Sequence, residues 1–208
     1  MAQKIILVAG QKGGGGKTTM AYGLAYALAQ RPRSRVLLCD MDRPQYSTAL
    51  LNELRKMNYP DSPPLFRVEK VARLNELGPL AEGYTHVVMD GAPHASEETL
   101  RMAEASTLVV IPTRPSILDL QPQVRLAMDL VHRGIDKRRI VFAVLQYGSQ
   151  SDLTAARQTI EAEGFKVAGG LPYQLGYSRS NDKGLAIQET PFPTLRAQAE
   201  QLFEELAK

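Results

Sequence analysis

The stretch GQKGGGGKTT, residues 10–19, decides how the rest of the chain is read. It follows the aliphatic run KIILVA (4–9) and precedes apolar residues at helical spacing, Ala21, Leu24, Ala25 and Leu28. A glycine run between a strand and a helix is the setting in which a backbone curls around phosphates. Glycine carries no Cβ and adopts positive φ, so successive N–H groups can face one anion. A helix beginning near Lys17 adds its positive N-terminal end, Lys17 can reach the β- and γ-phosphates, and Thr18 offers a hydroxyl to Mg²⁺. Gln11, Gly13, Gly14, Gly15, Gly16, Lys17, Thr18 and Thr19 are therefore expected around a nucleotide. The general pattern G-x-x-x-x-G-K-[ST] places glycine at position 11, where this chain has Gln11, and it assigns nothing to Lys12.

Working outward, short aliphatic runs recur at RVLLCD (35–40), THVVMD (85–90), TLVVIP (107–112), IVFAVL (140–145) and FKVAGG (165–170). Their apolarity is continuous rather than alternating, which predicts strands covered on both faces, as in a parallel sheet. Helical periods lie between them: Leu120, Val124, Ala127 and Val131; Leu153, Ala156 and Ile160; Leu195, Ala199, Leu202 and Leu206. Alternation of strand and helix predicts an α/β three-layer sandwich of the phosphate-loop NTPase type, a mostly parallel twisted sheet flanked by helices. Ser47, Ser96, Asp119 and Asp152 stand where helix N-caps are expected. The proline-rich segment NYPDSPPLF (58–66) reads as a surface loop within the domain. No repeat or long linker divides the chain, so residues 1–208 are expected to form one phosphate-loop domain, without room for an N-terminal helix-turn-helix.

Composition sets bounds rather than an identity. The 208 residues, 44% hydrophobic, suffice for a core, and 25 basic against 22 acidic residues leave too small an excess to mark a nucleic-acid binder. The single cysteine, Cys39, cannot pair within the chain or hold a metal by thiolates alone; a buried strand residue in a reducing, cytoplasmic setting is expected. No segment reaches the roughly 20 apolar residues of a membrane span.

Two further strand ends carry carboxylates. Asp90 closes the run THVVMD and is placed to hold a metal-bound water, while Asp40 and Asp42 lie two apart and would face the same way if the strand continued.

KGGGGKTT resembles the deviant Walker A motif K-G-G-x-G-K-[ST]-[ST] of the ParA/MinD ATPases, in which a glutamine before the first lysine is ordinary. RVLLCDMDRPQ resembles the family's D-x-D-P-Q strand end, with Arg43 inserted before Pro44. HVVMDGAPH resembles the Walker B strand with D-x-x-P, LVVIPTRPSILDL the proline-containing strand of plasmid partition ATPases, and LPYQLGYSRSNDKGLAIQE the loop before the last helix. The resemblance implies a Mg²⁺-dependent ATPase that binds ATP and ADP and dimerises with ATP. It makes Lys12 a cation supplied in trans to the partner's nucleotide, Asp42 the residue positioning the attacking water, and Thr18, Asp40 and Asp90 the metal shell. The inserted Arg43 leaves Asp40 and Asp42 free to exchange roles. Gln146, Pro172 and Tyr173 fall where the family contacts or wraps adenine. Among the functions it implies, DNA partition comes first, with a ParB-like or ribbon-helix-helix partner, nonspecific DNA bound when ATP is bound, and nucleoid association. Lys137, Arg138, Arg139, Arg179 and Lys183 are candidate DNA contacts. Positioning of another cargo, such as a conjugation, secretion or polysaccharide machine, is the alternative. The acidic ending AEQLFEELAK departs from the basic membrane tail of MinD-like proteins, so no membrane is expected.

Overall fold

A computed structural model describes residues 3–93 and 96–208. Its strands are β1 (Lys4–Gly10), β2 (Val36–Asp40), β3 (Arg67–Lys70), β4 (His86–Pro93), β5 (Leu108–Thr113), β6 (Ile140–Tyr147) and β7 (Lys166–Pro172). The main helices are α1 (Lys17–Ala29), α2 (Ser47–Asn58), α3 (Leu77–Ala81), α4 (Glu97–Ala105), α5 (Ile117–His132), α6 (Gln150–Ala162), α7 (Leu175–Asn181) and α8 (Pro193–Leu206). The strands form one parallel sheet in the order β3-β2-β4-β1-β5-β6-β7. Each of those runs is a strand, although β7, at a sheet edge, is only partly buried. The sequence reading missed β3, whose residues RVEK are polar and half-exposed because it is a short sheet edge.

Continuous apolarity has the expected cause: alternate residues of each central strand feed two separate cores. Leu7, Leu37, Met89, Val109 and Ile111 face one helical layer, whereas Ile6, Val8, Leu38, Val88 and Val110 face the other, against α1 and α8. Cys39 is buried in the first of these cores, and burial pushes its thiol up to about 12, so it is an inert packing residue.

β1 is central, and the chain visits β2, β3 and β4 on one side before crossing to β5 on the other. The loops after β1 and β5 thus diverge at the carboxyl edge of the sheet, which is where a crevice opens in such folds.

The helix starts partly differ from expectation. Ser96 caps α4, accepting the Thr99 amide at 3.1 Å. Asp152 instead lies at the third position of α6 and completes a capping box with Ser149. Asp119 sits in the first turn of α5, behind Ser116. Ser47 is the first residue of α2, whose free amides are met from outside the helix.

Candidate nucleotide site

Residues 11–16 cross the carboxyl end of β1. Gly14 (φ 73°) and Gly16 (φ 90°) hold left-handed backbone conformations that other residues resist, and a Cβ on Gly16 would stand 2.5 Å from Leu145 Cδ1. Gly13 and Gly15 lack positive φ. Lys17 is 5% exposed at the start of α1, and its ammonium rests on the Lys12 carbonyl at 3.2 Å, inside the loop. That oxygen occupies a lysine donor which a phosphate oxygen would otherwise engage.

Beside the loop, Thr18 donates its hydroxyl to Asp90 Oδ2 at 3.1 Å. Asp90 pairs in register with Asp40 of the adjacent strand, and both are fully buried. Burial, reinforced by the Asp40 charge, raises the Asp90 carboxyl to about 8, against the lowering effects of Thr18 and Lys17. Its Oδ1 is buried with no hydrogen-bond partner among the described residues. A buried orphan carboxylate oxygen next to a threonine hydroxyl suits Mg²⁺, which takes one or two protein oxygens and completes its shell with water and phosphates.

Asp40 differs from the sequence expectation. β2 ends at Asp40, so strand geometry does not persist to Asp42. Both Asp40 oxygens are engaged by backbone amides, Oδ1 by Asp42 at 3.2 Å and Oδ2 by Ala49 at 2.9 Å. Asp40 thereby anchors the first turn of α2 and shapes the turn carrying Asp42, with both of its oxygens committed to backbone amides. Asp42 is 6% exposed at the start of that turn.

Lys12 points away from its own loop interior. Its ammonium donates to the Leu118 carbonyl and pairs with Asp119 Oδ1 at 3.2 Å, both on the first turn of α5. The carbonyl is available for a reason written in the sequence: Pro122, four residues on, has no N–H to bond it.

Three contacts that the sequence did not signal brace the loop. Buried Gln123 accepts the Gln11 amide at 3.1 Å, Asn181 of α7 donates to Thr19 Oγ1 at 3.0 Å, and Arg114 donates to the Gly14 carbonyl at 2.8 Å. Thr19 is thus turned toward α7. Gln146, with φ 58° at a bulge in β6, lies beside Pro172 and Tyr173, since Tyr147 pairs with Pro172 and accepts the Tyr173 amide. Leu145, adjoining Gln146, borders Gly16, so the carboxyl end of β6 lies beside the loop.

The basic candidates separate. Lys137, Arg138 and Arg139 precede β6, at the opposite edge of the sheet from the loop. Arg139 holds the carbonyls of Ala103 and Ser106, Arg138 pairs with Asp136, and Lys137 covers the Phe165 ring. Arg139 is therefore a structural cap on those carbonyls and not an available DNA contact. Arg179 and Lys183 are exposed at the nucleotide edge, flanking Asn181.

Among relatives, the chain is 29% identical over 198 residues to the chromosome partitioning protein ParA of Myxococcus xanthus (76% of this chain, 69% of the relative). It is 31% identical over 175 residues to the maintenance of carboxysome distribution protein A of Gloeobacter kilaueensis (77% and 72%). The fold matches the septum site-determining protein MinD with Mg-ADP from Pyrococcus horikoshii (TM-score 0.76, 20% identity, 99% of this chain and 96% of the other). It matches the ATP complex of a Cyanothece McdA variant to a similar degree (TM-score 0.75, 17% identity, 98% and 96%). The family model for the CobQ/CobB/MinD/ParA nucleotide-binding domain covers residues 6–187, from the core of β1 to beyond α7. With the loop, strand ends and sheet order in agreement, this chain belongs to that family of nucleotide-binding ATPase domains.

Proposed function

We propose that the chain is a ParA-type switch that dimerises with ATP and partitions DNA by ATP-controlled nonspecific binding, released when a partner stimulates hydrolysis. The observation that carries the dimer is Lys12: a cation at the mouth of the phosphate loop is held 3.2 Å from Asp119, turned from its own nucleotide, and its side chain is 43% exposed. Released from α5, it can meet the charge developing on a phosphoryl group in a facing subunit, as arginine fingers do.

Within each subunit, Lys17 leaves the Lys12 carbonyl for the β- and γ-phosphates, and the loop amides cradle them. Thr18 Oγ1 and Asp90 would hold Mg²⁺, whose charge would neutralise that of the phosphates. Asp42 orients the attacking water from the start of the turn that Asp40 fixes. Gln146, Pro172 and Tyr173 border the base.

The second reading, positioning of a different cargo by the same switch, is favoured by the likeness to the carboxysome distribution protein. A membrane role finds less support, since Ala199, Leu202, Phe203 and Leu206 of α8 are buried in the core.

Lysine variants test the switch. Lys17→Ala should lose nucleotide affinity, whereas Lys12→Ala should bind ATP as a monomer yet neither dimerise nor hydrolyse. Nucleotide fluorescence with light scattering reads both. A Lys12→Ala protein that dimerises with ATP and turns it over at the parent rate would overturn the trans assignment.

A further inference from the structure

Arg114 carries a feature that neither phosphate-loop chemistry nor the Lys12 assignment accounts for. It follows the last residue of β5, the strand beside β1, and precedes Pro115, which restricts its backbone to extended conformations. From this fixed stem the side chain crosses the end of β1 and donates from Nη2 to the Gly14 carbonyl at 2.8 Å. Its Nε is buried and has no hydrogen-bond partner among the described residues. One arginine nitrogen is thus engaged with the loop backbone while another donor of the same planar group stays unsatisfied beside it.

The direction of that bond matters. In a trans peptide the carbonyl and the following amide point opposite ways, so whatever draws the Gly14 oxygen outward turns the Gly15 N–H inward. Inward is the side on which a phosphate loop presents its amides to the nucleotide. Gly14 meets little that would hold it from outside: its φ is 73°, and a Cβ placed on it would meet nothing closer than Arg114 itself, at 3.9 Å. Without an external hold, this peptide would be free to turn over.

We propose that Arg114 is a positioning residue for nucleotide binding: it fixes the Gly14–Gly15 peptide with the Gly15 amide facing the phosphates, and adds a guanidinium charge to the outer side of the phosphate cradle. The inference rests on the nucleotide site described above, and it concerns phosphate binding in cis, distinct from the action of Lys12 on a second subunit.

The test compares Arg114→Ala and Arg114→Lys with the parent. MgADP and MgATP affinities are measured by titration, and KM and kcat at one protein concentration. Arg114→Ala should bind both nucleotides about 10- to 100-fold more weakly, the range of a charge-assisted hydrogen bond, with KM raised and kcat at saturation within about threefold. Arg114→Lys keeps one charge but not the planar fork, so it should fall between the two. The melting temperature of the nucleotide-free protein should be unchanged in the lysine variant, separating loop positioning from general stability. Parent-like affinities in both variants would overturn the assignment, as would a fall in kcat with KM unchanged, which would mark a group acting on the transferring phosphoryl. A parent chain binding neither nucleotide would overturn the site itself and this inference with it.

Discussion

Removing Asp119 should strengthen ATP-dependent dimerisation. In the free chain Lys12 is docked on two acceptors of α5, the Leu118 carbonyl and the Asp119 carboxylate, and it must leave both to cross to a partner. The pair is partly solvated, with side chains 43% and 28% exposed, so its contribution is that of an exposed ion pair, about 0.3–1 kcal/mol. Asp119→Ala then raises the population of undocked Lys12 by about 2- to 5-fold per subunit. A symmetric dimer undocks two such lysines, so the factor enters squared, and the dimer Kd with ATP should fall by about 4- to 25-fold. The gain should shrink as salt screens the pair in the parent. Pro122→Ala provides an independent route: the restored N–H bonds the Leu118 carbonyl within the helix, withdrawing the other acceptor while stabilising α5. Sedimentation or light scattering against protein concentration, with a non-hydrolysed ATP analogue, measures both. Unchanged or weaker dimerisation in Asp119→Ala, in a background where Lys12→Ala abolishes it, would refute the docking argument.

Asp90 predicts a pH dependence in the metal-free protein. Its folded carboxyl keeps the proton up to about 8 while the unfolded chain releases it near 3.8, so the folded state binds more protons between these values, and stability falls as pH rises through that window. Asp90→Asn should remove this contribution, seen as a flatter plot of melting temperature against pH in chelator, and should weaken Mg²⁺-dependent nucleotide binding. Asp40→Asn replaces one of two acceptors of buried amides with a donor; it should lower stability by about 1–3 kcal/mol, with denaturant midpoints falling before any change in Mg²⁺ requirement. For DNA, binding should require ATP and weaken steeply with salt, and Arg179→Glu with Lys183→Glu should reduce it more than Lys137→Glu with Arg138→Glu. Filter binding across a salt series checks this, and equal losses would count against the nucleotide-edge surface.

Much of this was legible in the chain. Strands buried on both faces announce themselves by continuous apolarity, as the central ones do, and the edge strand β7 keeps a readable run in FKVAGG; β3, at the opposite edge, is short, carries three charged residues and has nothing continuous to read. The glycine loop is legible because its chemistry is local: Gly14, Gly16, Lys17 and Thr18 act within a span of five residues. The helix caps show the limit of this locality. Ser96 bonds its own helix three residues on, whereas α2 is anchored by Asp40, nine residues before Ala49 and on a different element, so the serine at its start misleads.

The same distinction explains what was missed around the nucleotide. Arg114, Gln123 and Asn181 reach the loop or the start of α1 across 100 to 162 residues of sequence, and each bears on a backbone group or a hydroxyl, with no charge partner to betray it. The contacts of Arg114 and Gln123 exist only because the sheet order sets β5 and its following helix beside β1, a juxtaposition that no local pattern encodes. Pro122 is the intermediate case. Its effect on the Leu118 carbonyl follows from sequence and helix geometry alone, but that this carbonyl faces Lys12 follows only from the fold. The glycines make the loop able to bind phosphate, and the distant side chains determine which of its conformations is held ready; ligand affinity therefore depends on residues that a phosphate-loop motif does not contain.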